Sequence, residues 1–239
     1  MPRFRAMHEF ETGEPHEEIQ LLAIAFATQL FEASHRVPTS VRGYRDTDQT
    51  PAYRTLRRVL RALTWLRGGR RWLLKSPQHL ENLGPLLETF PDATLVQTHR
   101  DPVRITVSLA TMVAYGARMQ QRRPDPAAIG RQWGRRVEDM LRASVEGRNR
   151  LPADPVVDVH FAELQKDPLG AAARILERGG LPFGREARAA AEPYLATHPR
   201  GRFGRVRYRP EPLGLDEAEL SERFRFYRER FGVPREEAP

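Results

Sequence analysis

The sequence predicts an α/β fold in which helices flank a parallel sheet. One pattern occurs twice: an apolar run, a cation, a residue suited to cap a helix, a proline and then helical periodicity. Ser and Asp are favoured at helix N-caps and proline at the first helical position. Strands that alternate with helices in this way form parallel sheets. The two copies predict strands at 72–74 and 93–96, caps at Ser76 and Asp101, and helices at 77–89 and 102–119.

The rest of the chain is predicted to be mainly helical. Apolar residues at helical spacing predict a helix from Pro15 to Ser34, followed by a polar loop to Gln49. A capping residue followed by proline predicts further helices at Thr50 and at Asp167, and Asp216 caps a last amphipathic helix. The remaining predicted elements are a long helix from Pro126, a third strand at 155–161 and a short helix at 185–195.

Lys75 and Arg100 are the candidate centre of an anion site. The carboxyl ends of parallel strands meet at one edge of a sheet, which places both cations beside helix N-termini that favour negative charge. Ser108 follows Asp101 by two helical turns and shares its side of the helix. Taken singly, Arg100 could pair with a carboxylate and Ser108 could merely line the helix. The repetition of the whole pattern favours a site for a phosphate.

His79 is a candidate general base near this site. It is the third residue of the helix that begins at Pro77, and a helix N-terminus disfavours imidazolium, so we expect a neutral ring beside Lys75. The alternative, a first-turn histidine that only caps its own backbone, has equal weight. The other histidines lack the spacing of a metal site, and we expect no bound metal.

Composition narrows the class of protein. The chain has no cysteine, so disulfides and thiolate chemistry are excluded. Its net charge of +8 suits nucleic acid or a small polyanion, although no nucleic-acid-binding motif is present and we disfavour that partner. Because no apolar run could span a bilayer and the N-terminus lacks a signal-peptide core, we expect a cytoplasmic protein without a membrane partner. Its length fits a single domain, residues 1–239.

A segment rich in glycine and arginine, residues 198–209, forms a second basic element. Gly201 and Gly204 would let the backbone approach a phosphate, and the arginines would supply forked donors. A flexible, arginine-rich surface loop is the alternative.

Several of these segments together resemble a known family. LKSPQHL, FPDATLVQTHRDPV and Ser108 resemble the sulfotransferases that use 3′-phosphoadenosine 5′-phosphosulfate (PAPS), in the bacterial branch with a KSPxH segment. The resemblance implies a P-loop-NTPase-like parallel sheet and PAPS as the sulfate donor. It assigns Arg100 and Ser108 to the 3′-phosphate, and it assigns the nucleotide-binding loop to Arg200, Arg202 and Gly204.

The resemblance also implies a reaction and a division of the chain. A sulfuryl group would pass to a hydroxyl or amine of an unknown small acceptor, with His79 removing the proton and Lys75 stabilising the charge. His79 does not stand at the offset of the family's better-known catalytic histidine. Within the single domain, we expect an acceptor side at 10–68, a βα core at 71–165 and a nucleotide loop with the last helix at 198–239.

One departure from the family concerns its N-terminal strand and phosphate loop, which hold the 5′-phosphosulfate. The sequence offers no such segment, since ETGEPHEE near the start is acidic and would repel phosphate. We therefore expect the family's sheet with that strand and loop missing. A truncated, inactive nucleotide-binding relative is the alternative function.

Overall fold

The computed structural model describes residues 3–8, 15–151, 156–199 and 201–237, and helices dominate it. Three short 3₁₀ helices lie at Ala23–Ala25, Pro77–Glu81 and Glu211–Leu213. The α-helices are α1 (Phe4–Met7), α2 (Ile19–Leu22), α3 (Leu30–Ser34), α4 (Pro38–Asp46), α5 (Thr50–Arg67), α6 (Leu83–Thr89), α7 (Pro102–Ala117), α8 (Pro126–Arg150), α9 (Phe161–Lys166), α10 (Pro168–Arg178), α11 (Arg185–Thr197), α12 (Glu217–Arg223) and α13 (Arg225–Phe231).

Two parallel strands form the sheet in the described part of the chain. β1 (Leu95–His99) pairs with β2 (Val156–His160), and the register runs from Leu95 beside Val156 to His99 beside His160. The connection between the strands contains α7 and α8, as a parallel pair requires a long crossover. The predicted α/β class with a parallel sheet is confirmed, and the strand predicted at 155–161 is β2.

The strand predicted at 72–74 is wrong. These residues belong to no strand, and the Leu73 side chain is 89% exposed. A strand needs a neighbour for its N–H and C=O groups, and within the described ranges no strand lies beside this segment. The N–H of Lys75 instead donates to the Glu18 carboxylate at 2.7 Å. The apolar run is therefore an irregular segment, and the Glu18 side chain binds the chain at its end.

The single helix predicted at 77–89 is also wrong. The Pro77–Glu81 turn is a 3₁₀ helix, and α6 begins only after Asn82. The Asn82 side chain donates to the carbonyl of Gln78 at 2.8 Å, and such a local contact competes with continuous helix. Ser76 does not cap the turn, and its buried hydroxyl has no hydrogen-bond partner among the described residues.

The N-terminal region departs from its predicted pattern as well. The helix expected from 15 to 34 is divided into α2, a 3₁₀ turn and α3, because Phe26 adopts a left-handed backbone with φ 54° and is exposed. The loop expected at 35–49 contains α4. Contacts between these short helices compete with one continuous helix. The Thr28 hydroxyl, for example, donates to the Ile19 carbonyl at 2.7 Å.

Three of the predicted aspartate caps are confirmed. Asp101 accepts from the N–H of Val103 at the start of α7, and Asp167 and Asp216 do the same for α10 and α12. Thr50 is instead the first residue of α5, and its N–H donates to the side chain of Asp48.

The main core lies between α7, α8 and the C-terminal helices. Its members include Val107, Trp133, Val137, Phe224 and Tyr227, all at most 3% exposed. A smaller apolar cluster joins α2, α5 and α6, and Leu74 and Leu95 pack against it. Both clusters fix the helices whose ends carry the candidate site residues.

Gly130 marks the closest approach of α8 to the segment before α12. A Cβ there would lie 2.1 Å from the backbone oxygen of Leu213. We expect Gly130→Ala to destabilise the protein by about 1–3 kcal/mol, because a backbone atom cannot yield as a side chain can. The control is Gly43→Ala in α4, where the new Cβ meets open space and should stabilise by up to about 1 kcal/mol. Equal unfolding free energies of the two variants in urea would contradict this packing.

A polar network ties the ends of β1 and β2 together. The buried ring of His99 contacts the Tyr227 hydroxyl at 2.9 Å and the Asp158 carboxylate at 2.8 Å. Arg148 donates to both carboxylate oxygens of Asp158, at 2.7 and 3.0 Å. The hydrogen bonds from Arg148 lower the pKa of Asp158 to about 2, and His99 adds to them, while burial opposes both. His99 and Asp158 therefore hold the ends of the two strands together.

The lowered pKa of Asp158 gives an acid dependence of stability. The carboxylate stabilises the fold above its ordinary pKa of 3.8, and we expect that contribution to be lost as the pH falls from about 4 towards 2. Asp158→Asn should lose less unfolding free energy over this range than the unmodified chain. Asp92→Asn, at an exposed turn, should follow the unmodified chain. Parallel pH profiles for all three in urea titrations would contradict the assignment.

Candidate functional site

The short turn that carries His79 is fixed from the interior by its neighbours. The Gln78 side chain accepts from the N–H of Gln29 at 3.2 Å and donates to the Ala27 carbonyl at 3.1 Å. Glu81, at the end of the same turn, accepts from the Gln29 amide at 2.6 Å. His79 lies between these two anchors and faces the other way.

A buried arginine of α8 completes this support. The Arg136 guanidinium donates to both oxygens of Glu81, at 2.7 and 2.5 Å, and to Glu32 at 2.9 Å. Burial opposes the charge of Arg136, but the two carboxylates outweigh burial and raise the pKa of the guanidinium. Removing one partner from such a group leaves a buried charge, so the cluster holds the turn in one position.

His79 lies between a carboxylate and a phenol. Its Nδ1 is 2.7 Å from the Tyr53 hydroxyl, and its Nε2 contacts the Glu18 carboxylate. Burial would raise the pKa of Glu18, but hydrogen bonding and charge from His79, helped by the backbone N–H of Lys75, outweigh it and lower that pKa. Burial raises the pKa of Tyr53. The arrangement is an ionised carboxylate, an imidazole and a neutral phenol in a row.

Lys75 lies at the surface beside this row. Its ammonium forms an ion pair with Glu17, and the lysine side chain is 74% exposed. His8, after α1, is close enough for the charges of Glu17 and Lys75 to affect its pKa, which burial lowers. Lys75 and His79 are therefore brought together by the short turn between them and by two consecutive glutamates, Glu17 and Glu18.

Arg100 and Asp101 form a second cluster at the N-terminus of α7. The Arg100 guanidinium donates from Nε and Nη2 to the Glu236 carboxylate, at 2.8 to 3.0 Å, and lies 4.2 Å from the centre of the Phe161 ring. The N–H of Asp101 points to the same carboxylate at 3.4 Å. Burial alone would raise the pKa of Glu236, but Arg100 outweighs it and the pKa is lowered. Arg100 and the backbone N–H of Asp101 therefore bind a carboxylate of the chain itself.

Arg104 belongs to the same cluster and was missed in the sequence. It follows Asp101 by three residues and precedes Ser108 by four, so all three share one side of α7. Its guanidinium donates to both oxygens of Glu217, at 2.7 and 3.0 Å, and to the backbone oxygen of Glu236 at 3.1 Å. Ser108 is half-buried. The helical spacing from a capping aspartate could have identified Arg104.

The glycine and arginine segment forms a third group. Arg200 lies outside the described residues. Arg202 and Gly204, the latter with φ +99°, line a cavity of about 300 Å³ together with Arg5 of α1 and the end of α11. The Arg5 guanidinium lies 3.8 Å from the centre of the Phe203 ring. A backbone at this φ favours glycine, which agrees with a loop shaped for close approach.

The helix α1 adjoins two of these groups and α7. The N–H of Arg3, just before α1, donates to the Tyr115 hydroxyl of α7 at 3.3 Å. Arg5 contacts Phe203 of the glycine segment, and His8 lies near Lys75. Lys75 and Arg100 share no contact partner among the bonds and ion pairs of the described residues, and each is neutralised by a carboxylate from a distant part of the chain.

Glu18, Tyr53 and Glu236 could not be identified in advance. Glu18 was read as part of an acidic segment that repels phosphate, and Tyr53 and Glu236 were given no role from the sequence. Their contacts with His79 span 61 and 26 residues of sequence. In the sequence, the pair Glu17-Glu18 was recognisable only as two consecutive acidic residues.

In the part of the chain that the structure covers, no group of three or more His, Cys, Asp or Glu residues is arranged to hold a metal ion. Nor does any helix there have the length and apolar character needed to cross a membrane.

Comparison with known proteins agrees with the resemblance noted in the sequence. Residues 1–185 match the sulfotransferase family. The fold is similar to the crystal structure of sulfotransferase STF9 from Mycobacterium avium, with TM-score 0.83 and 26% identity over 92% of this chain and 57% of that one. It is also similar to sulfotransferase STF1 from Mycobacterium tuberculosis H37Rv, with TM-score 0.75 and 29% identity over 91% and 56% of the two chains. No curated protein gives a significant match. The chain thus spans just over half the length of these two structures.

Proposed function

Because this chain belongs to the sulfotransferase family, we propose that it transfers a sulfuryl group from PAPS to a hydroxyl or amine of a small acceptor. The main support for this proposal is the pair of hydrogen-bond donors that bind an anion at the start of α7. There the Arg100 guanidinium and the N–H of Asp101 already converge on a carboxylate. A phosphate monoester offers the same oxygens with more charge, so it suits the same donors.

In this proposal the nucleotide is held by two basic elements. Arg100 and Ser108 bind the 3′-phosphate, and Arg104, between them on α7, adds positive charge on the same side of the helix. The loop with Arg200, Arg202 and Gly204 binds the rest of the nucleotide. Support comes from the left-handed backbone of Gly204 and from the basic cavity that Arg202 shares with Arg5.

The reaction is an in-line displacement at sulfur. The acceptor oxygen or nitrogen forms a bond to sulfur as the bond from sulfur to the bridging oxygen of the phosphosulfate breaks. Adenosine 3′,5′-bisphosphate leaves with that electron pair, and the acceptor gives up a proton. Catalysis of such a transfer needs a positioned base and a cation near the transferred oxygens.

His79 takes the proton in this scheme. Because the ionised Glu18 can only accept, the Nε2–H of the ring donates to it, and the lone pair of the ring is on Nδ1, beside the Tyr53 hydroxyl. Nδ1 then accepts the proton that the acceptor gives up, and the ionised Glu18 at Nε2 stabilises the imidazolium. Glu18 acts as the orienting group that such a base requires.

Lys75 stabilises the transferred group. Its ion pair with Glu17 is largely exposed and contributes little to stability, so the sulfuryl oxygens can replace Glu17 as its partner. The helices of residues 10–68, which supply Glu18 and Tyr53 to the base, also form the acceptor side.

The proposal is tested by incubating the chain with PAPS labelled with ³⁵S and a panel of phenols, primary alcohols, sugars and amines. We expect a labelled product that depends on the acceptor, with one equivalent of adenosine 3′,5′-bisphosphate released for each transfer. Failure of the chain to bind PAPS in equilibrium dialysis would overturn the proposal.

A second candidate function is an inactive nucleotide-binding relative. It is favoured by the pairing of both Lys75 and Arg100 with carboxylates of the chain itself. The same assay separates the two functions, because this candidate binds PAPS through Arg100 but transfers no label to any acceptor.

A further inference from the structure

The segment that follows α13 reaches back to the start of α7. Gly232 turns the chain with φ +62°, and the buried Val233 anchors it to the main core. Pro234 and Arg235 are exposed, and Glu236 then contacts Arg100. We call residues 234–237 the C-terminal segment.

Glu236 is bound through its backbone as well as its carboxylate. Its N–H donates to the second carboxylate oxygen of Asp101 at 2.9 Å, and its carbonyl accepts from Nε of Arg104 at 3.1 Å. The carboxylate meanwhile takes two donors of Arg100. Glu236 is therefore hydrogen-bonded at the same time to Arg100, to the capping residue Asp101 and to Arg104, the residues beside the proposed 3′-phosphate site.

We propose that the C-terminal segment competes with the nucleotide for this site, with the Glu236 carboxylate in the position of the 3′-phosphate. The proposal rests on the proposed function, since the competing ligand is the phosphate monoester of the donor. Arg100 cannot offer the same pair of donors to Glu236 and to a phosphate, so binding of the nucleotide requires release of the segment.

The contacts suit a segment that can be released. The Glu236 and Arg100 side chains are 27% and 31% exposed, and partly exposed ion pairs are only modestly stabilising. Val233 can keep its place in the core while residues 234–237 move away, because the exposed Pro234 and Arg235 lie between the anchor and Glu236. A phosphate dianion then gains the stronger interaction with Arg100.

Such competition reduces the apparent affinity of the nucleotide by the fraction of molecules in which the site is open. Removing the charge of Glu236 should therefore strengthen binding. We expect Glu236→Gln to lower the Kd for adenosine 3′,5′-bisphosphate by roughly three- to tenfold in calorimetric titrations. Glu237→Gln, which makes the same change one residue later at an exposed position, should leave the Kd unchanged.

Hydrogen exchange supplies a second measurement. Because the N–H of Glu236 is bonded to Asp101, we expect the peptide that covers the C-terminal segment to exchange faster when the nucleotide is bound. If the unmodified chain binds the nucleotide through Arg100 but Glu236→Gln binds it no tighter, the competition is refuted and the proposed function stands. If no variant binds the nucleotide, the proposed function is overturned and this proposal falls with it.

Discussion

Replacement of His79 by alanine is expected to lower the rate of sulfuryl transfer by roughly 10²- to 10⁴-fold, the usual contribution of a positioned general base. The affinity for PAPS should stay the same, because His79 contacts Glu18 and Tyr53 and lies outside the Arg100 cluster. The measurement is the initial rate of labelled product with the best acceptor, at saturating PAPS. This is the largest effect that the structure predicts for a single side chain.

The variants beside His79 make the prediction more specific. Glu18→Gln keeps a hydrogen-bonding group but removes the charge that stabilises imidazolium, so it should lower the rate by less than His79→Ala and alter its pH profile. His35→Ala, at the exposed end of α3, is the matched control and should transfer at the unmodified rate. A His79→Ala variant as active as His35→Ala would show that the turn has no part in proton transfer.

Replacement of Arg100 by alanine is expected to weaken binding of adenosine 3′,5′-bisphosphate by about 10- to 100-fold. The variant loses a bidentate, charge-assisted contact worth about 1.5–3 kcal/mol, and each 1.4 kcal/mol is a tenfold change in Kd. Arg100→Lys should lie between, because lysine keeps the charge but not the fork. Calorimetric titration at constant salt measures each Kd.

A control for general loss of positive charge is available on α5. Arg54 is exposed and pairs with Glu88, so Arg54→Ala removes one positive charge at a residue that takes no part in the proposed contacts. We expect it to bind the nucleotide as tightly as the unmodified chain. If Arg54→Ala and Arg100→Ala weaken binding equally, the nucleotide is attracted by net charge alone.

Local chemistry is what made parts of this fold predictable from sequence. The caps at Asp101, Asp167 and Asp216 depend on side-chain and backbone groups two or three residues apart, and each formed as expected. The strand at Val156–His160 was likewise predicted, from the short run at 155–161. These features need no knowledge of the rest of the chain.

Features that depend on distant partners were not predictable in the same way. The segment 72–74 has the composition of a strand, yet a strand forms only beside another, and composition does not say which neighbour is present. Phe26 fits a helical face but ends a helix, because the chain turns there to bring Gln29 to Gln78 and Glu81.

The candidate site shows the same division. Arg100 and His79 were identified from their places beside helix starts, whereas their partners, Glu236 and Glu18, come from 136 and 61 residues away. The charges in the sequence do not identify which of the many carboxylates pair with Arg100 and His79. The partners change the chemistry of the site, since one orients the proposed base and the other occupies the proposed phosphate site.

We propose above that the start of α7 recognises the 3′-phosphate of the sulfate donor. It is tested most directly by calorimetric comparison of adenosine 3′,5′-bisphosphate with adenosine 5′-monophosphate, which lacks that phosphate. We expect the bisphosphate to bind at least about tenfold tighter, as for one charge-assisted contact, and Arg100→Ala to remove most of this difference. Equal affinities for the two nucleotides, or a preference that is undiminished in Arg100→Ala, would show that the start of α7 does not recognise the 3′-phosphate.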